Sequence, residues 1–178
     1  RPEETGKEHR RSIERAITAA HWFPEEVDYI NACGLGTVEL DLIETLAIKA
    51  AMGSQAYRVP ISSFKSALGH AFAASGAFQL IGTVLALQHQ FIPPTLNLTQ
   101  PDPQCDLDYV ACVGRPRTMQ RALVNSFGFG GKNIVIAVSG VDVDASQDRL
   151  VHGGVGALYH EPIAAPAMAK SPSPDLVQ

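Results

Sequence analysis

The chain has 178 residues, 46% of them hydrophobic and 18% charged, with a formal net charge of −4. That length suits one core-bearing domain with at most an appendage, and that composition excludes disordered and fibrous classes. The negative balance excludes a general nucleic-acid surface, and three cysteines (Cys33, Cys105, Cys112) behind an N-terminus unlike a signal peptide fit neither a zinc site nor a disulfide framework and point to a reducing, cytoplasmic setting.

Lys7 to Ala20 brings Ile13, Ala16, Ile17 and Ala20 onto one stripe at helical spacing, which predicts a surface helix. Val27 to Asn31 alternates as a strand does and runs into Cys33-Gly34-Leu35-Gly36-Thr37, where two glycines permit an unusual backbone. Glu39 to Met52 carries Leu42, Ile43, Leu46, Ala47 and Ala50 at helical intervals, and Gly53 closes it. The same order then repeats: Tyr57 to Ser62 reads as a short strand, Lys65 to His70 as a turn, and Ala71 to Gln88 as a helix. Two consecutive strand-loop-helix units imply an α/β layer fold whose loops face one site, which would make Cys33 and His70 neighbours.

Phe91 to Pro103 carries four prolines and reads as an extended crossing segment. Arg121 to Phe127 and Asn133 to Ser139 are expected to pair as antiparallel strands around Gly128-Phe129-Gly130-Gly131-Lys132. That glycine string is not a phosphate loop, because Ser126 stands where the first glycine is required and Asn133 where a magnesium-binding hydroxyl belongs. Domain 1–140 is followed by an Ala/Pro/Gly-rich tail, 141–178. The apolar run Ala71 to Leu87 is interrupted by Gln79, so no membrane span is expected. His9, His21, His89, His152 and His160 lack metal-ligand spacing and read as surface residues.

His70 follows Gly69 and precedes a helix, a position from which a neutral imidazole can donate to a developing oxyanion, with Lys65 orienting a carboxylate or water nearby. The competing reading has His70 capping the helix and Lys65 solvated. Asp41 and Glu44 share a face at a helix start, suited either to its dipole or to capping and a solvated surface. Phe127 and Phe129 alternate with glycine, as a gate or as core packing.

Taken in order, NACGLGTVELDLIET, SSFKSALGHAFAASGAF, FIPPTLNL, CDLDYV and NSFGFGGKN resemble the C-terminal half of the elongating, type II β-ketoacyl-acyl carrier protein synthases. The resemblance implies one half of a thiolase-like layered α/β fold, a mixed sheet covered by helices. It also implies a decarboxylative Claisen condensation in which an N-terminal half supplies the nucleophilic cysteine and two histidines of the C-terminal half polarise the malonyl thioester. On that basis His70 is the second histidine, Lys65 its supporting lysine, Thr37 a contact of the pantetheine arm, Phe129 the gating ring with Phe127 beside it, and Asn133 the residue closing that loop. No cofactor is implied beyond the phosphopantetheine of an acyl carrier protein, which carries the acyl groups.

Three positions depart from the family pattern: Cys33 stands for the first histidine, Leu35 for a pantetheine-binding threonine and Gln79 for a glutamate. A thiol donates hydrogen bonds poorly, so the first change should remove an oxyanion contact. The glycine loop is closer to that of chain-length factors, non-condensing partners of active ketosynthases, yet His70 and the phenylalanine loop are kept. Two functions therefore stand: a ketosynthase portion completed by an N-terminal half or partner ketosynthase subunit, and a chain-length-factor-like partner that shapes an acyl tunnel. Either leaves apolar sheet and helix surface for a partner to cover. Arg115, Arg117 and Arg121 form either a docking patch for the acidic carrier protein or an ordinary solvated face.

Overall fold

The computed structural model describes residues 6–140; the expected tail lies outside them. The elements run α1 (Lys7–Ala19), β1 (Tyr29–Asn31), α2 (Val38–Met52), β2 (Ile61–Ser62), α3 (Lys65–Leu68), α4 (Ser75–His89), β3 (Phe91–Ile92), β4 (Arg115–Pro116), β5 (Arg121–Gly128) and β6 (Lys132–Ser139). The main sheet has the order β2-β1-β5-β6. Its first three strands are parallel, with Ile30 opposite both Ile61 and Leu123, while β6 returns antiparallel from Phe127↔Asn133 to Arg121↔Ser139. The expected mixed sheet covered by helices is what forms.

Strand alternation sorts the core into two layers. Ile30, Ile61, Leu123, Val135 and Ala137 meet Ile13, Ala16, Ile17, Ala47 and Ile48 of α1 and α2 on one face. On the other, Tyr29 and Ala122 meet Ala86 and Leu87 of α4. The predicted stripe of α1 is thus the buried one.

Three boundaries differ from the sequence reading, each for a local reason. The ladder of the second strand begins only at Ile61, because Pro60 has no N–H to offer and residues Gly53–Tyr57 coil as a 3₁₀ turn. The expected turn at 65–70 contains a single helical turn, α3. The long helix starts at Ser75 rather than Ala71, since Phe72 takes a left-handed backbone (φ 49°) and residues Phe72–Ala74 form a 3₁₀ turn.

Helix α4 is amphipathic in reverse. Its buried residues are Ser75, Gln79, Gly82, Thr83, Ala86 and Leu87, mostly small or polar, whereas Phe78 (49%) and Ile81 (58%) are exposed beside Val84 and Leu85. This helix shows its most apolar face to solvent, the surface that the half-fold reading requires to be covered. On the inner side the Phe64 ring lies over Gly82, where an added Cβ would come within 2.6 Å of it. Gly82→Ala is expected to cost about 1–3 kcal/mol in urea denaturation through that overpacking; unchanged stability would mean that Phe64 has room to move.

Candidate active site

The loop after β1 is held by two carboxylates of α2. Glu44 accepts from the backbone N–H groups of Cys33 (2.9 Å) and Gly34 (2.9 Å) and from Asn125 Nδ2 of β5 (3.0 Å). Asp41 accepts from the N–H groups of Leu35 (2.9 Å) and Gly36 (3.2 Å). Four consecutive amides of the glycine loop are thereby consumed, so none remains to stabilise an oxyanion. Gly34 is required in this arrangement: its φ is +46°, and a Cβ there would lie 2.6 Å from Ser63 Cβ. The solvated-face reading of this pair is overturned for Glu44, which is 5% exposed. Burial raises both carboxyl groups above their ordinary values, against the lowering effect of the loop N–H bonds.

Cys33 is buried, and its thiol faces the backbone of Phe127: Sγ donates to the carbonyl at 3.6 Å and accepts from the N–H at 3.4 Å. Burial first, then the Glu44 charge, pushes the thiol up to about 11, against a smaller lowering by Lys65. It remains protonated at neutral pH, unlike an activated nucleophile.

Lys65, at the start of α3, reaches back across the site. Its Nζ donates to the carbonyl of Cys33 at 2.5 Å and to Gln79 Oε1 at 3.0 Å. Gln79 Nε2 in turn donates to Ala32 O (2.8 Å), Asn125 O (3.1 Å) and Asn31 Oδ1 (3.4 Å). Asn31 Nδ2 completes the network on Gln79 O (3.0 Å) and Thr83 Oγ1 (2.9 Å). Asn31, Ser75, Thr83 and Asn125 are site residues that sequence reasoning did not single out. The signal was present: Ser75, Gln79 and Thr83 recur every four residues on an otherwise apolar helix.

His70 is exposed, five residues before the first residue of α4. Its Nδ1 lies 2.8 Å from Ser75 Oγ, and its ring stacks on Phe72 with centroids 5.2 Å apart. The Cys33 thiol and the His70 imidazole share no hydrogen bond among the described residues. Lys65 joins their loops, but the thiol turns toward β5 and the imidazole toward α4. A cleft of about 430 Å³ is lined by Leu35, Thr37, Asp41, Lys65, Thr95 and Tyr109 among others. Thr37 is exposed at the mouth of that cleft, the N-cap position of α2, where its side chain makes no capping bond. Asn133 is buried in β6 opposite Phe127.

The Phe127 ring packs against the α1-side core and stacks on His9 at 4.0 Å, so core packing describes it. His9 is accordingly not a free surface residue, because α1 turns it onto that ring. Phe129 lies in the 3₁₀ turn between β5 and β6. Of the three arginines, Arg121 pairs with Glu26 and lies over Trp22 and Arg115 pairs with Asp108, whereas Arg117 is exposed with no ion pair among the described residues. Among the described residues no group of three or more His, Cys, Asp or Glu is placed to hold a metal ion, and no helix is long and apolar enough to cross a membrane.

The family described as beta-ketoacyl synthase, C-terminal domain, matches residues 1–99. Among curated proteins, the chain is 44% identical over 135 residues to a putative polyketide beta-ketoacyl synthase 1 of Streptomyces cyaneus, covering 76% of this chain and 32% of that protein. It is 45% identical over 136 residues to 3-oxoacyl-(acyl-carrier-protein) synthase 2 of a Synechocystis strain, covering 76% and 33%. Among solved structures, a type II polyketide ketosynthase in complex with its acyl-carrier protein superposes with a TM-score of 0.76 at 38% identity, over 79% of this chain and 34% of that one. The ishigamide ketosynthase/chain length factor gives a TM-score of 0.69 at 35% identity, over 73% and 33%. The chain spans about a third of the length of each of these relatives.

Two outcomes are expected from this geometry. In the folded chain Cys33 should be the last of the three cysteines alkylated by iodoacetamide at neutral pH, followed by mass spectrometry; early modification would contradict its burial and raised thiol. Glu44→Gln should lose about 1–3 kcal/mol in chemical denaturation, because the new amide NH2 is a donor and leaves one loop N–H without an acceptor. Since folding raises the Glu44 carboxyl, its neutral form contributes stability that is complete below the ordinary value of 4.5 and is lost as pH rises through the folded value. The wild type should therefore lose stability over that rise, and Glu44→Gln should flatten the loss.

Proposed function

The chain belongs to the beta-ketoacyl synthase family through its C-terminal domain, and we propose that it is the histidine-bearing portion of a ketosynthase of fatty acid or polyketide chain elongation. The observation that carries this reading is the position of His70. It sits just ahead of α4, with Nδ1 held by Ser75 of that helix and Nε2 making no hydrogen bond among the described residues. A thioester carbonyl of a malonyl group on an acyl carrier protein placed there would receive a hydrogen bond as carbon dioxide leaves and charge gathers on its oxygen. Lys65 fixes the loop opposite through the Cys33 carbonyl. The acyl-bearing cysteine belongs to a part of the enzyme outside this chain, which would also cover Phe78, Ile81, Val84 and Leu85.

A second reading is favoured by Cys33. Its thiol is satisfied by the Phe127 backbone and offers no donor to a thioester, so one of the two oxyanion contacts is missing, a loss of about a hundredfold to a thousandfold in rate. A protein so reduced would serve as a chain-length-factor-like partner that shapes the acyl tunnel of an active ketosynthase. With Arg115 and Arg121 each paired to a carboxylate, only Arg117 of the expected patch stays unpaired among the described residues, so the carrier protein's docking surface would lie mainly on the completing part.

His70→Ala in the assembled enzyme separates the readings. The condensing reading expects release of carbon dioxide from malonyl-acyl carrier protein to fall by at least about a hundredfold. Unchanged turnover with intact assembly would leave only the tunnel-shaping role.

A further inference from the structure

We propose that Ser75 is a positioning residue that fixes the tautomer of His70 with the proton on Nε2. Ser75, the first residue of α4, is 6% exposed, and its Oγ lies 2.8 Å from His70 Nδ1. Among the described residues that is the only hydrogen bond its hydroxyl makes. A buried hydroxyl gives its proton to the acceptor it has, and the acceptor here is Nδ1. Nδ1 is then the bare nitrogen of a neutral imidazole, and the ring proton resides on Nε2.

The surroundings agree with this assignment. No carboxylate or backbone carbonyl hydrogen-bonds the ring, so nothing present draws the proton to Nδ1. The Phe72 ring covers one face of the imidazole and restricts its rotation, leaving Nε2 as the edge presented outward. Because Ser75 stands on a helix rather than in the loop, its hydroxyl is fixed by the packing of α4, as outer partners of functional histidines are elsewhere. His70 is thus preset as a hydrogen-bond donor and not as a base. This deepens the condensing reading and rests on it for its consequence, although the tautomer itself does not.

The test uses the full chain labelled with ¹⁵N and long-range ¹H–¹⁵N correlation spectra at pH about 8, where imidazole is neutral; the signals that vanish in His70→Gln identify the ring. The expected wild-type pattern has a protonated Nε2 and a bare Nδ1 shifted by its hydrogen bond. Ser75→Ala should move Nδ1 to the value of a free imine nitrogen, and Ser75→Thr should leave it in place. A proton on Nδ1 in the wild type, or identical ring shifts in wild type and Ser75→Ala, would overturn the proposal. Should Ser75→Ala not fold, the wild-type pattern together with Ser75→Thr decides. In the assembled enzyme Ser75→Ala should lower kcat for malonyl decarboxylation about tenfold with KM little changed, and Ser75→Thr should restore it. Full activity in His70→Ala would remove the condensing reading while leaving the tautomer assignment intact.

Discussion

The side-chain amide of Gln79 ties together the parts on which the site depends. From α4 it accepts from Lys65 Nζ and donates toward Ala32 O, Asn125 O and Asn31 Oδ1, so one residue joins α3, β1, its following loop and β5. Only an amide can do this. A carboxylate has no N–H, and ionised it would set a negative oxygen against three acceptors in a buried space. Where the resembling synthases carry glutamate, this chain has a neutral group, and the Lys65 ammonium is held by two neutral oxygens instead of an ion pair.

A second tie acts from the opposite face of the sheet. Glu44 and Asp41 satisfy four successive loop amides, which lets a glycine-bearing loop enter the interior without orphaned donors. The cost is a buried charge, visible in the raised carboxyl groups. The two ties together decide the character of Cys33: its amide is held by Glu44, its carbonyl by Lys65 and its thiol by Phe127. Such a residue has structural value and little freedom to react.

The reversed amphipathicity of α4 follows from the same polar network. Gln79 and Thr83 face the sheet because Asn31 does, and the large apolar residues are left on the other side. Fully burying side chains of this size contributes about 1.5–3 kcal/mol each, so a covering body would find on α4 a substantial apolar surface. The relatives, about three times as long, have the chain length to supply one.

Much of this was readable from the residues. Periodicity located α1, α2 and the β5–β6 hairpin, and the glycine loops at 34–36 and 69 marked where chemistry-bearing side chains leave the core. The five motifs in order pointed to the family, with Cys33, Leu35 and Gln79 as its departures. What spacing cannot encode is direction. His9 lies on a predicted surface helix, yet the angle at which α1 meets β5 turns it onto Phe127. Glu44 belongs to a face that looks solvated until α2 packs over the loop, and Asn31 and Thr83 are 52 residues apart until α4 crosses β1. The sequence by itself determined the elements, their order and the identity of the polar groups, because those depend on neighbours along the chain. Tertiary structure alone decided which polar groups meet and turned the Cys33 thiol onto the Phe127 backbone and the His70 imidazole onto Ser75, because each buried donor is satisfied by whichever acceptor the packing of distant elements brings within 3 Å or so.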